Sequence, residues 1–252
     1  MLPTLQVGPL AVQVPGLVLL IGLWLGLSLA ERRAGWYQTA PANLYNLVLV
    51  GLIAGVSGAR LVYVARYPAA FAASPLSLIS LNPGLLDSTG GVAVALLAAM
   101  VFRQRKQMPG WPTLDALTHL MAVLAIALEV AHLASGEAFG SPTGLPWGIE
   151  LWGARRHPSQ IYAILAASLI LGWLSLPQTQ RKAGRPGVTF LAFVCFSAGA
   201  RLFLEAFRGD SLLLVGGLRA AQLVSWLALA LGLIGLARLQ RIGEKTVHRV
   251  QS

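Results

Sequence analysis

The sequence predicts an all-α polytopic membrane protein of seven transmembrane helices, and three observations carry that reading. Only 11% of its 252 residues are charged while 56% are hydrophobic. A soluble surface needs about a quarter of its residues charged. Mean hydropathy is +0.69. The apolar residues also gather in runs of, or close to, membrane-crossing length, since about 20 residues cover the roughly 30 Å of hydrocarbon as a helix.

In chain order the spans are 12–30, 43–66, 89–102, 114–134, 158–177, 187–208 and 217–239. The third is short and leans on Thr89-Gly90-Gly91. No repeat, low-complexity tract or soluble domain is left over, so 1–252 reads as one integral membrane domain. Met1 to Leu10 has no basic residue and a long apolar stretch follows, which does not read as a cleaved signal peptide. Cys195 is the single cysteine, so no intrachain disulfide or thiol metal site is available. It lies in an apolar run, where a thiol packs as a small hydrophobe.

Orientation follows from charge. The net charge is +10, and in a soluble chain that excess would suggest nucleic acid. Here the basic residues are scattered between apolar runs, which excludes a basic groove. Twelve of the 19 Lys and Arg fall in alternate short loops and the tail: Arg32, Arg33, Arg103, Arg105, Lys106, Arg181, Lys182, Arg185, Arg238, Arg241, Lys245 and Arg249. The other loops have no lysine. Basic residues hold loops in the cytoplasm, so the N-terminus is expected outside and the C-terminus in the cytoplasm.

Seven basic residues are left, and all are arginine: Arg60, Arg66, Arg155, Arg156, Arg201, Arg208 and Arg219. Each falls in the outer half of a span or in an outer loop, where the charge rule gives no reason for it. Arginine at membrane depth is costly and marks function by default. Its planar fork also matches phosphate geometry, so the group suggests an anionic lipid headgroup.

Spacing adds detail. Arg201, Glu205 and Arg208 stand at i, i+4 and i+7, one stripe on a helix face, which suits either a phosphate site or an internal ion pair. Arg60, Tyr63 and Tyr67 share a face after Gly55-Val-Ser-Gly58-Ala, a small-residue patch that permits close helix contact. Interfacial anchoring explains them equally. Glu129 and His132 at i, i+3 suit a proton carrier, or a pair closing the helix end. The outer loop that follows ends Arg155-Arg156-His157-Pro158-Ser159-Gln160-Ile-Tyr162. Pro158 and Ser159 suit a helix start, and the run also resembles an anion site at a helix N-terminus. His119 and His248 read as bland. No nucleophile elbow, His-Glu-x-x-His pair or phosphate-binding Gly-Lys-Ser loop occurs, which leaves hydrolase and nucleotide readings unsupported. A transporter would want charges near the midplane, not at the outer end.

Several of these pieces together resemble the phosphatidylglycerol:prolipoprotein diacylglyceryl transferase family. They are Arg-His-Pro-Ser-Gln-Ile-Tyr (156–162), Gly199-Ala-Arg201-x-x-x-Glu205-x-Phe-Arg208, Gly58-Ala-Arg60-x-x-Tyr63, Ser74-Pro-Leu, Gly90-Gly91 and Gln222-x-x-Ser225. The resemblance covers roughly residues 8–240. It implies a seven-span enzyme of the bacterial inner membrane with its active site open to the outer leaflet. The implied reaction moves a diacylglyceryl group from phosphatidylglycerol to the lipobox cysteine of a prolipoprotein and releases glycerol 1-phosphate. Its implied partners are phosphatidylglycerol, the prolipoprotein and membrane lipid, with no nucleic acid and no cofactor or metal.

Carried over by position, the resemblance implies that Arg201 and Arg60 hold the phosphate, Glu205 orients Arg201, and Glu137 matches the glutamate of an Asn-Gly-Glu motif. Gly90 and Gly91 match the glycines of a His-Gly-Gly turn. Tyr63, Thr89, His157, Ser159, Gln160, Arg208 and Gln222 complete the expected substrate-binding set. Four departures stand out. Thr89 replaces the histidine before the two glycines, Glu129 replaces an arginine, Ser197 replaces the tyrosine four residues before Arg201, and Pro15 stands at the place of a tyrosine in the first span. Two expectations follow: a divergent transferase whose proton chemistry is rebuilt around His132 and Glu129, or a relative that binds anionic phospholipid or lipoprotein precursors without transfer.

Overall fold

The computed structural model describes residues 4–7, 10–73, 83–176, 185–214 and 216–251. The Ser74-Pro-Leu motif, Arg181 and Lys182 lie outside the described residues, as do the side chains beyond Arg241.

A short antiparallel hairpin, β1 (Thr4–Val7) and β2 (Leu10–Gln13), leads into α1 (Val14–Arg33), whose first turn holds Pro15. Proline suits that turn because its missing N–H would be unpaired there anyway. A 3-10 turn, Ala34–Tyr37, and the left-handed Gln38 reverse the chain into α2 (Pro41–Arg66) and the short α3 (Pro68–Ala73). Asp87 starts α4 (Ser88–Arg105) as an N-cap, its Oδ1 accepting from the Gly90 amide at 2.7 Å. Next comes α5 (Gly110–Ser135), which ends on Gly136 at φ 80°, the left-handed position that favours glycine. A second hairpin, β3 (Ile149–Leu151) with β4 (Ala154–Arg156), precedes α6 (Ser159–Leu174). The last helices are α7 (Val188–Leu204), continued by a 3-10 turn at Glu205–Phe207, and α8 (Ala220–Gln251).

Each expected span meets one long helix, with ends displaced by a few residues. The chain is mostly helical, yet it is not purely α, because two short hairpins frame the first and sixth helices. Among the described residues, five helical stretches are long and apolar enough to cross a membrane: Val14–Tyr37, Pro41–Arg66, Gly110–Ser135, Val188–Phe207 and Ala220–Arg241. Ser159–Leu174 is apolar but only 16 residues long, and Ser88–Arg105 ends on Arg103 and Arg105.

The centre is α5, which packs against α1, α6 and α7, while α7 also packs on α8. The approach of α1 to α5 is so close that a Cβ on Gly26 would sit 2.8 Å from the Leu120 side chain. Around that contact a buried cluster forms from Ala30, Ala34, Tyr37, Leu44, Ala116 and Leu120. At the same end Asp115 of α5 is fully buried and accepts from the Gly187 amide at 2.5 Å and the Phe190 amide at 2.8 Å. It therefore satisfies the unpaired first-turn donors of α7 from a neighbouring helix. His119 is fully buried between the Trp36 and Tyr37 rings.

By contrast, α2 packs chiefly against α4. A Cβ on Gly91 would meet the Ala59 Cβ at 2.8 Å and the Gly55 carbonyl at 3.0 Å, and one on Gly90 would meet Val62 at 2.7 Å. This pair closes on glycine.

Candidate functional site

Where α5, α6 and α7 meet, a cleft of about 180 Å³ opens, and it contains the arginine stripe. Its polar lining is Glu129 from α5, Ser159 from α6, and Ser197, Arg201 and Arg208 from α7 and the turn after it. Alanines at 125, 163, 166, 167 and 200 keep the walls apolar and narrow. Arg201, with 38% of its side chain exposed, places Nε 3.1 Å from Oε2 of Glu205, which is 1% exposed. The contact is an ion pair rather than a hydrogen bond, since Oε2 accepts none among the described residues, and its attraction holds the guanidinium beside the carboxylate.

The stripe does not continue as one α-helix. α7 gives way after Leu204 to the 3-10 turn, and Arg208 is extended at φ −81°, ψ 139°. The cause is tertiary pairing: Ser141 N donates to the Phe207 carbonyl at 2.8 Å, and Gly209 N donates to the Phe139 carbonyl at 2.9 Å. Arg208 does not snorkel outward. It forks onto Asp210, with Nε and Nη2 at 3.0 and 2.9 Å from the two carboxylate oxygens.

His132 Nδ1 lies 3.4 Å from Glu129 Oε2, so the expected pair forms. Its two members face different spaces. Glu129 lines the cleft with Arg201, whereas His132 lines a second cavity of about 380 Å³ with Thr4, Gln13, Pro15, Ser135 and Glu137. Leu128 borders both. The α5 segment 128–132 is therefore the wall between them. Glu137 is exposed and its amide donates to Ser135 Oγ at 3.4 Å.

The 156–162 motif mainly folds the loop between α5 and α6. Ser159 does not cap α6; its Oγ donates to the Ala138 carbonyl at 2.7 Å, although the residue still lines the cleft. Gln160, fully buried, donates Nε2 to the Glu137 carbonyl at 2.7 Å. Arg156 donates to the carbonyls of Leu151 and Gly140 and stacks over Phe139. His157 packs its ring on Phe207 and Tyr162. Backbone carbonyls and rings occupy the groups that were expected to face an anion.

Arg60, Tyr63, Thr89, Gly90 and Gly91 belong to the α2–α4 pair. Arg60 Nη1 donates to the Leu85 carbonyl at 3.2 Å, Tyr63 stacks with Tyr67 and Phe71, and Thr89 is exposed in the first turn of α4. Arg66 pairs with the capping Asp87 at 2.6 Å. Arg60 lines neither of the two cavities above, so Arg60, Arg201, Glu137 and His132 do not converge on one space. Gln222 sits half-buried in the first turn of α8.

Residue-level reading of the sequence missed Asp115, Ser211 and Asp210. An acidic residue inside the apolar span 114–134 was the available signal for Asp115. Ser211 had none, since its importance comes only from touching Glu205.

The profile of the prolipoprotein diacylglyceryl transferase family matches residues 3–238. Among its relatives is a phosphatidylglycerol--prolipoprotein diacylglyceryl transferase of Synechococcus elongatus, 32% identical, with 93% of this chain and 86% of that protein covered. The protein of the same name in Nostoc sp. is 29% identical over 92% of this chain and 87% of its own. That of Chloroflexus aggregans is 30% identical over 88% and 83%. Nearly the whole chain is spanned, including both walls of the cleft, and the chain belongs to the prolipoprotein diacylglyceryl transferase family.

Proposed function

We propose that this protein transfers a diacylglyceryl group from phosphatidylglycerol to the cysteine thiol of a prolipoprotein. One observation carries the reading beyond family membership: the Arg201–Glu205 pair opens into an apolar-walled cleft between α5, α6 and α7. In the reaction a sulfur–carbon bond forms at the glyceryl carbon and the carbon–oxygen bond to phosphate breaks, releasing glycerol 1-phosphate. The thiol proton passes to a base. Arg201 meets the departing phosphate, where a fixed cation is worth most as charge develops. Glu129, which lines the cleft with Arg201, passes the thiol proton on to His132, 3.4 Å behind it, in place of the histidine that Thr89 replaces. Arg208, Ser159 and Glu137 border the two substrates' spaces. The relatives' names favour transfer over the reading in which lipid is bound without reaction.

The protein runs through the bacterial inner membrane seven times as a single domain, N-terminus outside, with the cleft toward the outer leaflet. Support comes from the loops: Arg32, Arg33, Arg103, Arg105 and Lys106 all belong to one end of the helices, while the arginines of the cleft belong to the other. The expected absence of nucleic acid from its partners rests on the same scattering of charge.

The test is rescue. In bacteria depleted of their own transferase, expression of this chain is expected to restore lipidation of prolipoproteins. Full membrane expression without rescue, and no labelled lipid on a lipobox peptide in vitro, would overturn the proposal.

A further inference from the structure

Arg219 is a further outer arginine that neither topology nor the cleft explains. It half-buries itself at the start of α8, and its Nη1 donates to the carbonyl of Glu205, to the carbonyl of Arg208 at 3.0 Å and to Ser211 Oγ at 3.1 Å. Ser211 in turn donates to Glu205 Oε1 at 2.6 Å. The opposite oxygen, Oε2, is the one facing Arg201 Nε.

Two physical problems meet at Glu205. It is a carboxylate at the C-terminal end of a helix, where unpaired carbonyls already concentrate negative charge. It is also 1% exposed, so water does not screen it. A cation on those carbonyls relieves both. The serine adds direction: a hydroxyl has one proton to give and two lone pairs. With Arg219 occupying a lone pair, the Ser211 proton is aimed at Oε1, which leaves Oε2 for Arg201. Backbone pairing keeps the pieces in place, because Leu213 bridges to Arg219 and the Ala220 amide donates to the Leu212 carbonyl at 2.9 Å.

We infer that Ser211 and Arg219 are positioning residues for Arg201, acting through Glu205 to fix the guanidinium that meets the lipid phosphate. This rests on the transfer reaction proposed above, and it accounts for an arginine that membrane orientation leaves unused. A purely structural part for Arg219, capping the end of α7, predicts something different. Ser211→Ala leaves both carbonyl contacts of Arg219 intact and cuts only the link to the carboxylate.

The experiment uses the purified full-length protein with labelled phosphatidylglycerol and a lipobox peptide. Ser211→Ala is expected to lower kcat about tenfold, as loss of a hydrogen bond to a charged group does, with the KM for peptide unchanged. Ser211→Thr keeps the hydroxyl and is expected to retain near wild-type transfer. Arg219→Lys, with a point charge in place of the fork, falls between. In an Arg201→Lys background, Ser211→Ala is expected to cost nothing more, since a residue acting through Arg201 cannot act twice. The same loss in both backgrounds, or a lowered Tm with unchanged kcat, overturns the inference. Retention of phosphatidylglycerol against phosphatidylcholine is measured in parallel. If the wild type transfers nothing but Ser211→Ala still weakens that retention, the reaction proposal fails and the relay stands. If the wild type transfers and Ser211→Ala changes neither readout, the relay alone fails.

Discussion

Two places in this molecule carry residues of the kind that mark a lipid phosphate site, and they use them in opposite ways. In the α2–α4 pair, Arg60 goes to a backbone carbonyl, Arg66 to the carboxylate that caps α4, and Gly90 and Gly91 let two helices touch. In the α5–α6–α7 cleft, Arg201 is held along one edge by a buried glutamate and borders an open space. The difference lies in what surrounds the charge. Glycines at 55, 58, 90 and 91 bring the two helices of the first region into contact around Arg60, whereas alanines in the second line a gap they do not fill. An arginine at membrane depth is thus a functional hypothesis that packing must decide.

This contrast is open to attack by mutation. The largest effect is expected from Arg201→Ala, which should reduce transfer by about 100- to 1000-fold, the usual loss when a preorganised electrostatic group is removed. Labelled diacylglyceryl appearing on a lipobox peptide measures it, per folded molecule. Next, His132→Ala should lower kcat by about 100-fold, in the range of a lost general base. Activity at the wild-type level would return the proton chemistry to another group. Gly91→Val should act on stability instead, costing about 1–3 kcal/mol by forcing α4 off Ala59 and Gly55. Thermal unfolding in detergent reads that loss, and kcat per folded molecule should hold. Smallest is Arg60→Ala, expected to lower transfer by less than about tenfold, in line with one hydrogen bond. A loss as large as that of Arg201→Ala would mean that α2 and α4 close on the cleft during turnover.

The helices were legible in the sequence because hydrocarbon demands long apolar runs, and 43–66 or 114–134 has no other use. Pro158 and Ser159 also marked the start of the sixth helix, which runs from Ser159. The ends were less legible. The 3.6-residue period extended α7 through Arg208, but the turn at Glu205–Phe207 stops there because its backbone pairs with 139–141. The His157–Tyr162 run was read as an anion site, since nothing in it announces that Ser159, Gln160 and Arg156 spend their donors on carbonyls of the loop between α5 and α6. Arg201, Glu205 and Glu129 were singled out from spacing, and the structure sets Arg201 and Glu129 on one cleft with Glu205 beside Arg201. Ser211 and the capping role of Asp115 depend on contacts between distant segments, which spacing does not encode.

Where the lipid headgroup sits is the most direct question to put to the molecule. Phosphatidylglycerol with a photoreactive group on its glycerol headgroup would be cross-linked to the wild-type protein, and the labelled peptides mapped by mass spectrometry. Label is expected on 125–129 and 197–208, the cleft walls around Arg201. Label confined to 55–63 and 89–91 would place the headgroup on the α2–α4 pair and contradict this account.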